Sequence, residues 1–150
     1  MMVDPYFDRI ASPILFHPLF LSMKKYYAHG DTSVYEHSLS VAIHSYRYAK
    51  SRNLNLDYSS LIRGALLHDF YLYDWHHSGG GHKLHGFRHP FFAYKNAKKY
   101  FSINKKEGNI IRSHMFPFVF WILPLSKEAW IVLKNDKRCA IGEMKKGKNK

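Results

Sequence analysis

The sequence predicts an all-α fold, a single compact bundle of about six or seven helices. Three observations support this. Apolar residues recur three and four apart in one segment after another, the pattern of a helix with one buried face. Capping side chains, or prolines suited to a first helical turn, precede most of those segments. No segment shows the period-two alternation of a half-exposed strand. With 150 residues and 46% hydrophobic content, the chain is long and apolar enough for one core, which argues against global disorder.

Asp4 to about Ala11 reads as a short helix. A second is expected to start at His17–Pro18, run through Leu19–Tyr27 and stop around His29–Gly30, with His17 as a cap and His29 in a loop. Ser33–Val34–Tyr35–Glu36 has the spacing of a capping box, so a third helix begins there. Its apolar stripe is Val34, His37, Val41, His44 and Tyr48, which points two histidines inward. Asp57 suits the N-cap of a helix over Tyr58–Asp69, whose apolar positions Leu61, Ala65 and Leu66 lead straight into the adjacent pair His68–Asp69.

Phe70–Arg88 contains Gly79, Gly80 and Gly81 with His76, His77, His82 and His85, and reads as a long loop of the kind that often carries function. His89–Pro90 is expected to open a helix over about Phe91–Tyr100, with proline at its first position. Asn104–Lys105–Lys106–Glu107 is a second capping box, for a helix to about Met115 with Glu107, Ile110, Ile111 and His114 facing inward. Ser126 caps the last helix, and Glu128 suits its first turn. Its stripe of Ala129, Leu133, Asp136 and Ala140 carries one acid on the face that should be buried. Residues 1–142 form the expected domain, and 143–150 a basic, disordered tail.

The net charge of +12 is unevenly placed. Residues 1–75 hold seven basic and seven acidic side chains, and residues 76–150 hold sixteen against four. Such an excess steers anionic substrates or nucleic acid, and is weak as a sign of either on its own. Met115–Leu125 is apolar but too short to span a bilayer, and it carries Pro117 and Pro124; it reads as a hydrophobic loop capping a pocket. A lone cysteine, Cys139, excludes an internal disulfide and reads as a small buried hydrophobe. With no signal-peptide pattern, the expected compartment is the cytoplasm.

Collecting the polar residues on apolar faces or at helix ends gives His37, His68, Asp69, His89, His114 and Asp136, from five expected helices. Each would need its own buried partner, and a divalent cation partners imidazole and carboxylate together. Four histidines and two carboxylates are about the protein share for two six-coordinate ions, with water completing the shell. The absence of cysteine from the set argues against a closed structural zinc site, and open positions suggest hydrolysis.

The ordered set His, His-Asp, further histidines, then Asp resembles the HD-domain metal-dependent phosphohydrolases, all-α enzymes named for their adjacent His-Asp pair. The resemblance spans about Tyr35 to Ala140. It implies that His37, His68, Asp69 and Asp136 bind one metal. It further implies that His89 and His114 serve a second, with Asp69 bridging the two; His85 is the alternative for the place of His89. The expected activity is hydrolysis of a phosphate mono- or diester, nucleotide-like in character, by a metal-activated water that Asp69 helps orient. Manganese, iron, cobalt, nickel, zinc and magnesium are not distinguished by these donors. Lys83, His85 and Arg88 are candidates to bind substrate, His29 and Asp74 to support the ligands, and His44 to line the pocket. The competing expectation is a non-catalytic module that binds a nucleotide, or nucleic acid through its basic half.

Overall fold

The computed structural model describes residues 2–73 and 85–148. Within them the chain forms seven α-helices, one 3-10 turn and a two-stranded hairpin. Asp74, His76, His77, His82 and Lys83 lie outside the described residues.

Helix α1 (Pro5–Leu15) is capped by Asp4, whose side chain accepts from Phe7 N–H and also receives the Tyr46 hydroxyl at 2.8 Å. It runs four residues past the expected end. Helix α2 (Pro18–Leu21) is capped by His17 as expected, with Nδ1 accepting from Leu19 N–H. It is shorter than its stripe implied. The chain tightens into a 3-10 turn over Ser22–Lys25, then extends at Tyr26 into β1 (Tyr27–His29), paired antiparallel with β2 (Thr32–Ser33). Gly30 takes a positive φ of 58° between the strands, a conformation open to glycine at no steric cost. His29 therefore ends a strand.

Helix α3 (Val34–Ser51) starts where the capping residue Ser33 accepts from Glu36 N–H. Its buried face includes Ser38, Ala42, Ser45 and Ala49 alongside Val34, His37 and Val41. Those small residues carry little hydrophobic signal, so the true face is rotated from the apolar stripe. His44 consequently points out to solvent, its Nδ1–H donating to Ser40 O, which corrects the expectation that it faces the pocket.

Helix α4 (Tyr58–Leu67), capped by Asp57, is the central rod and is buried on nearly every side. It packs against α1, α3, α6 (Lys105–Ser113) and α7 (Lys127–Lys148). Its contact with α6 is close enough that a Cβ on Gly64 would lie 2.7–3.0 Å from three atoms of the Ile110 side chain. One turn further along each helix stand His68 and His114. The inward carboxylate Glu107 is satisfied structurally. It completes the Asn104 capping box of α6 and pairs with Arg63 of α4 at 3.1 Å.

Two boundaries differ from expectation. Helix α5 (His85–Phe101) already includes His85, so Pro90 is internal and does not open the helix. Helix α7, capped by Ser126, continues to Lys148, so residues 143–148 extend the helix where charge alone suggested a disordered tail. The physical reason is tertiary contact: Gly30 packs against Gly147 and the Glu143 carbonyl, and the Glu143 side chain reaches inward to His37.

Candidate metal centre

Side chains from five helices converge on one point. His37 comes from the first turn of α3, His68 caps the C-terminus of α4, and Asp69 follows it as the chain turns away. His89 lies in α5, His114 caps the C-terminus of α6, and Asp136 lies midway along α7. All six are buried, and His37 and His68 are fully so.

Three of the histidines are oriented by their own helices. Nδ1 of His68 lies 2.6 Å from Ala65 O, that of His89 2.9 Å from His85 O, and that of His114 2.7 Å from Ile111 O. A carbonyl can only accept, so each Nδ1 carries a proton and each Nε2 is the nitrogen that faces inward. Asp136 Oδ1 lies 2.8 Å from His37 Nε2 and 3.2 Å from His68 Nε2. Asp69 Oδ2 lies 3.2 Å from His68 Nε2 and 3.6 Å from His37 Nε2. The other oxygen, Oδ1, faces His114 Nε2 at 3.2 Å and His89 Nε2 at 3.3 Å, without the alignment of a hydrogen bond to either.

Candidate ligand atoms of His37, His68, Asp69 and Asp136 all lie within 4.8 Å of one another, and so do those of Asp69, His89 and His114. Asp69 belongs to both groups. The six residues singled out in the sequence are thus brought together. His85 is in neither group; its ring stacks on His89 at 4.4 Å, and Tyr73 OH lies 2.8 Å from its Nδ1.

The donor set fits a divalent cation on the following observation. His89 Nε2 and His114 Nε2 face each other at 2.8 Å, and Asp69 Oδ1 lies 3.2–3.3 Å from both, all buried. With both Nδ1 atoms protonated, two lone pairs and a carboxylate oxygen converge and repel. Either a proton or a metal ion resolves this. Burial pushes the His114 imidazole down, against the attraction of Asp69, so a proton is disfavoured there.

On the other flank, protons and carboxylates share one site. Burial alone would lower His68, but the charges of Asp69 and Asp136 outweigh it and hold the imidazole well above its ordinary range. For His37 the same opposition, with hydrogen bonds to Asp136 and Glu143, lifts it to about 9. Burial would raise both aspartates, yet His68 and the surrounding imidazoles hold them well below theirs. A dication can take the place of those protons.

A cavity of about 580 Å³ opens onto this cluster. Its remaining lining is largely apolar, with Ala28, Tyr71, Met115, Phe118 and Ala140 joined by His29, His85 and Lys137. Met115 and Phe118 come from the hydrophobic segment expected to cap a pocket, while Phe120, Trp121, Leu123 and Leu125 of that segment are exposed. Arg88 is exposed on α5 and does not line the cavity.

Two nearby residues went unnoticed in the sequence. Lys137 follows Asp136 directly and lines the cavity. Glu143 stands seven residues, two helical turns, beyond Asp136 on the same face of α7 and contacts His37. That spacing was the available signal.

No helix among the described residues is long and apolar enough to cross a membrane. No curated protein and no solved structure matches the chain significantly. A family model described as the HD domain matches residues 34–140, from the start of α3 to the middle of α7, and spans all six converging side chains. On that match the chain belongs to the HD-domain superfamily of metal-dependent phosphohydrolases.

Proposed function

We propose that the protein hydrolyses a phosphate mono- or diester, using two divalent cations held by His37, His68, Asp69 and Asp136 on one side and by Asp69, His89 and His114 on the other. The observation that carries this reading is the pair of opposed Nε2 atoms, 2.8 Å apart, with the buried Asp69 Oδ1 within 3.3 Å of both. His89, His114 and Asp69 would hold a cation there in place of the proton that the two imidazoles otherwise share. Bound divalent cations supply Lewis acidity toward a phosphoryl oxygen and make a water acidic enough to act as nucleophile near neutral pH.

The chain's own residues do the rest. Asp69, common to both groups, would tie them together and help orient the attacking water. The carbonyl partners of His68, His89 and His114 fix the orientation of the rings, so Nε2 faces the site without a ring flip. Lys137, on the cavity wall, is placed to meet phosphate charge. Tyr71, Met115 and Phe118 form an apolar wall that suits a nucleobase or another flat apolar group and limits bulk water.

The test is turnover of a generic phosphomonoester and a phosphodiester by metal-loaded protein, beside the Asp69→Ala variant. Hydrolysis by the wild type and a loss of at least a hundredfold in the variant is the expected result. Full activity in the variant would sink the mechanism. Nucleotide binding without turnover of any phosphate ester would instead identify a non-catalytic nucleotide-binding module.

A further inference from the structure

We propose that Glu143 is a positioning residue of the metal centre, clamping His37 from behind so that its Nε2 is presented to the cation. The inference rests on the metal-binding reading above and adds a residue that lies outside the family match at 34–140.

Among the four histidines of the centre, His37 is the exception in how it is held. The other three donate Nδ1–H to a neutral carbonyl three or four residues earlier on the same chain segment. His37 turns Nδ1 toward a carboxylate on another helix, with Glu143 Oε2 at 2.8 Å and Oε1 at 3.0 Å. Helix α7 therefore addresses both edges of one imidazole. Asp136 meets Nε2 at 2.8 Å, and Glu143, two turns later on the same face, meets Nδ1. A carboxylate accepting from Nδ1 fixes the tautomer, fixes the ring plane and strengthens the opposite nitrogen as a donor to metal.

Independent packing holds the clamp in place. The hairpin turn at Gly30 presses on α7, where an added Cβ would lie 3.1 Å from the Glu143 carbonyl and 3.3 Å from Gly147 Cα. The His29 ring stands edge-on to His37 with 5.2 Å between centroids. His29, His37 and Glu143 also present ligand atoms within 4.8 Å of one another, which raises the alternative of a third ion. That ion would require His37 to coordinate through both ring nitrogens and so to lose its last proton. A carboxylate hydrogen bond satisfies Nδ1 without that cost.

The deciding experiment is titration of purified full-length protein with Co²⁺, followed by the visible absorption of the bound ion, for the wild type, Glu143→Ala and Glu143→Gln. The alanine variant is expected to bind more weakly by roughly 10- to 100-fold, with an altered ligand-field spectrum at saturation. Glutamine keeps an acceptor but no charge, so it should recover part of the affinity. Should the alanine variant fail to fold, the glutamine variant carries the test, with a smaller loss still expected. Wild-type affinity and spectrum in both variants would overturn the proposal. So would a third equivalent of Co²⁺ in the wild type that Glu143→Ala lacks, since Glu143 would then be a ligand. If the wild type itself takes up no metal, the metal-centre reading falls and this inference falls with it.

Discussion

His68 and Asp69 are neighbours in sequence yet serve different neighbours in space, because the chain leaves α4 between them. His68 stays on the helix axis with its Nδ1–H tied to Ala65 O, while the carboxylate of Asp69 spreads its two oxygens over two groups of imidazoles. The protonation pattern gives a prediction about the metal-free protein. Folding raises His37 from 6.5 to about 9, so its contribution to stability is fully present below about pH 6.5 and is lost as pH rises through 9. Asp69 and Asp136 are lowered from 3.8, so their contribution is present above that value and is lost as pH falls further. Chelated protein should therefore melt lower at pH 9 than at pH 6.5. On the order of 3 kcal/mol from His37 corresponds to roughly 6–12 °C. A flat melting curve across that range would mean that the buried carboxylates do not hold those protons. Replacing His114 by Ala separates one metal from two. Metal analysis should show one ion fewer per chain, and unchanged stoichiometry would remove the second site.

Among the elements, α4 and α6 set the geometry that matters. Gly64 lets the two helices approach until Ile110 fills the space where a Cβ would stand, and one turn later the rings of His68 and His114 lie 4.8 Å apart. Alanine in place of Gly64 would gain about 1 kcal/mol of helix propensity. The crowding reaches back to the Ile110 Cβ, so the side chain cannot simply swing away, and overpacking costs about 1–3 kcal/mol. A net fall in melting temperature with weaker metal binding is expected from Gly64→Ala; a stabilised variant would show that α6 can shift freely. Removing the cap with Asn104→Ala should cost about 0.5–2 kcal/mol while leaving metal stoichiometry intact, since that end of α6 is remote from His114. Capping chemistry was the readable part of these elements, and Ser33, Asp57, Asn104 and Ser126 all cap where their spacing said. Ends set by tertiary contact were not readable. Pro90 looked like a first helical residue because that is its commonest place, and the basic end of α7 looked like a tail because its anchors, Gly30 and His37, are distant in sequence.

The whole molecule joins a polar, cation-suited floor to an apolar wall. Phe118 lines the cavity and also stacks on exposed Phe87 at 4.5 Å, and Phe87 in turn lies 6.0 Å from Trp121, so the apolar surface continues outward from the mouth. If that wall holds the organic part of the substrate, Phe118→Ala should raise KM for an aryl phosphate by roughly two- to tenfold. It should leave KM for a small alkyl phosphate nearly unchanged, and equal effects on both would make Phe118 a packing residue. The six buried polar residues were legible because each interrupts an apolar face or stands at the end of an expected helix, a local signal. His44 misled because the serines and alanines that share the buried face of α3 leave no hydrophobic trace. Lys137 and Glu143 went unnoticed because a charge on an otherwise charged helix looks solvated until its neighbours in space are known, although the seven-residue spacing from Asp136 to Glu143 was there to be read. Arg88 looked like a phosphate ligand because it ends the glycine-rich stretch beside His89; it is exposed on α5 and does not line the cavity.

The buried cluster itself is open to direct observation. Crystals of protein saturated with Mn²⁺ and measured at the manganese absorption edge should show anomalous density between Asp69 and the facing nitrogens of His89 and His114, with a second peak among His37, His68, Asp69 and Asp136. An ordered cluster with no anomalous density at either position, and the 2.8 Å contact between the two imidazoles intact, would contradict a metal centre.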